Sequence, residues 1–225
     1  MIYVVGDVHG CLNDLKELIK NINSQDDNAE FIFVGDFVDR GPMVVETIDW
    51  FMENVNNGGK YRTVRGNHEQ MAIEWFEDIL ELIEEGYEVD ELPYADFDMK
   101  ENLQKENLIT PSYIKKVKEY MESLPFSIKV SVNDIDYEIV HAWSPEATRY
   151  TGLTDEDIYL WERSSAGNFL NDTIIIHGHT PTITFSEGGI QCALNDINID
   201  GGCVFREHGG KLCALCLNNM KEFYV

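Results

Sequence analysis

Three short apolar runs open the chain, each followed by a polar cluster and then by an amphipathic stretch. Ile2-Tyr3-Val4-Val5-Gly6 is the first run, and after it Leu12, Leu15, Leu18, Ile19 and Ile22 recur at a spacing that places them on one helix face. Residues 31–36, Phe-Ile-Phe-Val-Gly-Asp, read as a second buried strand, and 44–55 as a second helix after Gly41-Pro42. Residues 61–67 read as a third strand that runs into a third helical pattern. Strand, helix, strand, helix, strand implies a parallel sheet with helices on its faces.

The pattern then changes. Residues 69–106 begin as helix and become very acidic, with Glu77 to Glu91 at the centre, which suits a solvated face or a lid beside a site. Thr110 and Pro111 read as the N-cap and first-turn proline of another helix, ending near Ser123. Two alternating strands around Asn133-Asp134 predict a hairpin. A short helix is expected at 154–163 and a buried strand at 173–179. Residues 186–225 alternate short strands with glycine turns and predict a second, antiparallel or mixed sheet. The expected fold class is α/β: two packed mixed sheets flanked by helices, in a single domain spanning 1–225.

Charge narrows the function. The formal net charge is -24, so the surface repels nucleic acid and anionic membranes, and neither is expected as a partner. An anionic substrate needs a local positive centre. No apolar run approaches the length of a membrane helix, and the first residues do not resemble a signal peptide, which makes a cytoplasmic protein the expectation. The five cysteines are scattered and odd in number, which argues against a disulfide framework. Cys213 and Cys216 form a C-x-x-C, but on a strand they point to opposite faces.

Chemistry gathers where apolar strands stop. The first ends in Gly6-Asp7-Val8-His9-Gly10, the second in Gly35-Asp36-Phe37-Val38-Asp39-Arg40-Gly41, the third in Arg65-Gly66-Asn67-His68-Glu69. Later ones end in His141 and in His177-Gly178-His179-Thr180. Ligands of α/β sheets bind beyond the carboxyl ends of strands. Five of the six histidines lie in these clusters, and only His208 does not. Aspartate, histidine and asparagine without cysteine suit a hard or borderline divalent ion such as manganese, iron or zinc. There are more candidate ligands than one ion needs, which suits a two-metal centre with a bridging carboxylate.

These segments resemble the motifs of the metallophosphoesterases, and more narrowly the serine/threonine phosphoprotein phosphatase branch in its small bacterial and phage form. The resemblance runs from Asp7 to Pro181. It implies that Asp7 and His9 hold a first metal, that Asp36 bridges, and that Asn67, His141 and His179 hold a second. Some branches carry a further histidine ligand where Pro181 stands here, so the first metal would have fewer protein ligands and more water. Arg163, in Trp161-Glu162-Arg163, is a phosphate-binding residue by the same resemblance.

The reaction can be argued from residue chemistry. Two divalent ions, manganese first among them, would hold a phosphate and acidify a water for in-line attack. Arg40 and Arg65 stand in the motifs and match phosphate oxygens with a two-point fork. His68 suits the general acid for the leaving group, oriented by Asp39. Glu69 is expected to stabilise the turn at the helix start. Cys11, at a helix start, suits a reactive thiolate but also a packed small residue. His177 carries no role from the resemblance. The expected activity is that of a metal-dependent phosphomonoesterase acting on phosphoserine or phosphothreonine, with dual specificity toward phosphotyrosine left open, and with a phosphoprotein or phosphorylated small molecule as partner. The alternative is a symmetrical dinucleoside tetraphosphate hydrolase.

Overall fold

The computed structural model describes residues 1–93, 98–148, 152–163 and 172–225. Part of the acidic segment expected to be a lid therefore lies outside the described residues. In chain order the elements are β1 (Ile2–Val5), α1 (Leu12–Asn23), β2 (Glu30–Phe33), α2 (Val44–Asn54), β3 (Tyr61–Thr63) and α3 (Asn67–Glu84). Then come α4 (Met99–Lys105), α5 (Pro111–Glu122), β4 (Ser127–Val132), β5 (Ile135–Val140) and α6 (Asp155–Trp161). The chain closes with β6 (Ile174–His177), β7 (Gln191–Ala193), β8 (Asp196–Asn198), β9 (Cys213–Cys216) and β10 (Glu222–Tyr224).

Two five-stranded mixed sheets result, ordered β10-β9-β1-β2-β3 and β4-β5-β6-β8-β7. In the first, β1, β2 and β3 run parallel while β9 and β10 are antiparallel. In the second, β5, β6 and β8 run parallel between antiparallel β4 and β7. Val4, Ile32, Ile139, Ile176, Ile197 and Leu215 fill the space between the sheets. Helices α1 to α5 cover the other face of the first sheet, where Tyr3, Phe31 and Phe33 meet Leu15, Ile48 and Phe76, while Ile158 of α6 packs against Val140 and Ile175 of the second. Helix α1 buries the Leu12, Leu15, Leu18, Ile19, Ile22 stripe that its spacing demands. Among the described residues, no helix is long and apolar enough to cross a membrane.

Three expectations change. The strand expected over 31–36 stops at Phe33, because the chain turns out of the sheet through Gly35 at φ 92° and Asp36 at φ 48°. The strand expected over 61–67 stops at Thr63, and Asn67 and His68 instead open α3. Residues 186–225 do not build the second sheet alone: β7 and β8 complete it, while β9 and β10 return to the first. Within that stretch Cys203–His208 is a 3-10 turn, bracketed by Gly202 and Gly209 in left-handed conformation at φ 72° and 91°. Cys213 faces the inter-sheet core and Cys216 the helical side, as a strand requires, and both are free thiols.

Candidate metal centre

The polar strand ends converge at one end of the two sheets. Each ligand candidate is fixed first by its backbone. His9, Asp36, Asp39, Arg40 and His179 all have positive φ, between 41° and 67°, a region costly for residues with a Cβ. Surrounding bonds hold these turns. Val8 and His9 N–H donate to Asp36 O at 3.1 and 2.9 Å, which ties the first loop to the second. The Glu69 carboxylate is buried and accepts four backbone N–H groups: Asp36 at 2.8 Å, Phe37 at 3.0 Å, Val38 at 3.2 Å and Gly66 at 2.9 Å. Burial and then Asp36 push its pKa up to about 8, against those four donors. The expected turn role of Glu69 therefore extends to a second loop. Gly66 and Gly178 permit close approach. A Cβ at either would fall 2.2 Å from Asp36 Oδ1 or 1.8 Å from Asp7 Oδ1.

The side chains then face one another. His9 Nδ1–H donates to Val38 O at 2.8 Å and His141 Nδ1–H to Val34 O at 2.9 Å. Each ring therefore presents the Nε2 lone pair inward. Burial holds both histidines below their usual pKa, His9 at about 3. These lone pairs meet the Asp36 carboxylate, whose Oδ2 lies 3.6 Å from His9 Nε2 and 3.4 Å from His141 Nε2. Asn67 Oδ1 lies 2.8 Å from His141 Nε2 and 3.0 Å from His179 Nδ1. His179 N–H donates to Asp7 Oδ2 at 3.1 Å.

This is a set of acceptors without enough protons between them, which is the arrangement a cation needs. Asp7 makes the same point. Its Oδ1 is buried without a hydrogen-bond partner, and burial with Asp200 and Asp36 raises its pKa well above the usual range. Asp36 stays low despite its burial, because His141, His68 and His9 favour its ionised form. His9, Asp36 and His68 form one group able to hold a metal, and Asp36, His141 and His179 a second, with Asp36 common to both. The residues present thus fit divalent ions.

The remaining candidates divide. Asp39 Oδ2 accepts from His68 Nδ1 at 2.8 Å, and burial raises the Asp39 pKa to about 6. Burial lowers the His68 pKa, but Asp36 and the Asp39 bond outweigh it and the net shift is upward. Arg40 donates to His9 Nε2 at 3.2 Å and to His68 Nε2 at 2.8 Å. A proton on His68 Nε2 is incompatible with that bond, so charging His68 requires Arg40 to turn away. Arg65 donates to Gln70 Oε1 at 2.9 Å and Glu122 O at 2.5 Å and stacks on Phe126 at 4.8 Å, so the structure does not hydrogen-bond it to the cluster. Arg163 is exposed, lines a small cavity with Ala142 and His177, and lowers the His179 pKa electrostatically. His177 is buried against Asp196 Oδ1 at 2.8 Å and stacks edge-on with Trp143, a structural place.

Sequence reading missed Asp200. It is buried, burial and Asp36 raise its pKa to about 7, and it accepts Gly202 N–H at 2.9 Å. An aspartate before two glycines reads as an ordinary turn, so only the fold reveals its closeness to Asp7.

Two mixed sheets with an Asp/His/Asn cluster across their ends define the class of metal-dependent phosphoesterases. The chain belongs to the calcineurin-like phosphoesterase family, whose pattern matches residues 1–210. It is 29% identical to a bis(5'-nucleosyl)-tetraphosphatase, the asymmetrical PrpE of Oceanobacillus iheyensis, covering 94% of this chain and 86% of that one. It is 30% identical to serine/threonine-protein phosphatase 2 of Salmonella typhimurium over 72% of this chain and 67% of that one. A serine/threonine phosphatase structure from Saccharomyces cerevisiae superposes with a TM-score of 0.62 at 16% identity, covering 95% of this chain and 72% of that one.

Proposed function

We propose that this hydrolase cleaves a dinucleoside tetraphosphate by water attack on phosphorus. The observation that carries the chemistry is the Asp36 carboxylate, which faces the inward lone pairs of His9 and His141 at 3.6 and 3.4 Å. Support for the nucleotide comes from the tetraphosphatase of Oceanobacillus iheyensis, which aligns over nearly the whole chain. That favours the substrate class of the reading placed second on sequence alone, a dinucleoside tetraphosphate; that reading expected symmetrical cleavage, whereas this relative is named as asymmetrical. A phosphoprotein substrate stays as the second reading, supported by the Salmonella phosphatase.

Asp7 and His9 would hold one divalent ion, Asn67, His141 and His179 another, and Asp36 both. Bound there, such ions neutralise phosphate charge and acidify the attacking water. Arg40 grips the reacting phosphate with its fork. On doing so it leaves His68 Nε2, which then carries the proton that the departing oxygen takes up. Asp39 keeps Nδ1 protonated and the ring in place. Arg163, on the His179 side, would meet outer phosphates. Arg65 would first have to release Glu122 O to join them.

The test uses metal-stripped protein with manganese, iron or zinc added back. Diadenosine tetraphosphate, p-nitrophenyl phosphate and a phosphoserine peptide are assayed side by side. Metal-dependent release of ATP with AMP, or of two ADP, supports the nucleotide reading and shows which bond breaks. Turnover of the peptide alone refutes it in favour of the second.

A further inference from the structure

Arg40 also lines a pocket of about 300 Å³ at the start of α1. We propose that this pocket seats the base and sugar of a nucleotide whose phosphate Arg40 holds, so that it is the nucleoside subsite of the centre. The inference rests on the nucleotide reading above.

Four observations carry it. The pocket adjoins the metal cluster, because Arg40 lines it and also bonds both His9 and His68. Its size suits a small ligand. Its lining is mixed: Leu12, Pro42, Met43 and Val204 offer apolar surface for the faces of a base, and Asn13 and Asp14 offer polar groups at the edge. Asp14 uses Oδ2 for both of its bonds to Arg206, at 2.9 and 2.6 Å, so Oδ1 keeps its capacity to accept from a sugar hydroxyl or an exocyclic amine. Finally, charge is reversed here. A chain with 17 basic and 41 acidic residues places Arg40 and Arg206 against the single acid Asp14 at this pocket.

The walls are also fixed to the metal-holding loop. The Cys203 thiol lies 3.2 Å from Asp7 O and 3.1 Å from Val8 O, so the pocket wall is in contact with the first ligand loop. Arg206, half-exposed and pinned by Asp14, has a planar guanidinium available to stack on a base. A phosphoserine side chain has no ring to fill such a space.

Calorimetry on the manganese-loaded full chain tests the subsite, with ADP and pyrophosphate as probes. Val204→Trp fills the pocket, and Asn13→Trp covers its exposed rim should the first variant fail to fold. The expected result is that either variant weakens ADP by about tenfold or more and pyrophosphate by less than about threefold. Equal weakening of both probes, or of neither, overturns the inference. Loss of the reaction reading looks different: ADP binds and responds to the variants, yet neither diadenosine tetraphosphate nor p-nitrophenyl phosphate is hydrolysed.

Discussion

The two sheets contribute to the cluster in unlike ways. The loops of the first sheet hold themselves: His9 is oriented by Val38 O, and Glu69 gathers the backbone of both the Asp36 loop and the Gly66 turn. The second sheet delivers His141 and His179, but groups of the first sheet orient them, through Val34 O and the Asp7 carboxylate. One sheet is a frame and the other supplies ligands that fit only when docked on that frame. Damage to the frame should therefore disable both halves, while damage confined to the second sheet should stay local.

The largest effect is expected at the point the halves share. Asp36→Asn should lower turnover about 10³-fold or more and abolish manganese binding by both groups, read by metal analysis. Retention of one tightly bound ion would break the idea of a shared carboxylate. Glu69→Gln comes next. Each Glu69 oxygen accepts two of the four N–H groups, so the NH2 of an amide would face two donors, and we expect a loss of about 2–3 kcal/mol in urea unfolding and about 10–100-fold in turnover. His177→Gln, inside the second sheet, should cost about 1–2 kcal/mol through Asp196 and change turnover by less than about threefold. If it matched Glu69→Gln in turnover, the two sheets would be equal partners in the frame.

The smallest effect concerns pH. The folded pKa of Asp200 is raised by burial to about 7 from a normal carboxylate value, so the folded state binds the extra proton. Its contribution to stability is present at low pH and is lost as pH rises through that window. In chelator-treated protein, Asp200→Asn should flatten the fall in stability between about pH 4 and pH 7. An unchanged slope would assign that fall to other groups.

Much of the first sheet was legible because its signals are local. Apolar runs, helical spacing and turn residues sit within a few positions of one another from Ile2 to Glu69. The candidate ligands were legible for the same reason, since each stands at the end of an apolar run. The destinations of β7 to β10 were not, because short strands carry no mark of which sheet they join. Arg65 shows a second limit. Its place in a motif says nothing about Gln70, Glu122 and Phe126, which occupy its guanidinium. Asp200 shows a third: burial beside Asp7 arises from a return of the chain that no local pattern announces.

The bond from His179 N–H to Asp7 joins positions 172 residues apart. Closing so long a loop costs more entropy than closing a short one, so the contact is expected to form after the local structure on either side of it. Under the proposed metal reading, divalent-ion affinity would be a clock for the maturing chain. On the proposed ligand set, a polypeptide emerging in order from its N-terminus would carry Asp7, His9, Asp36 and Asn67 long before their partners, and would gain tight metal binding only once that contact closes.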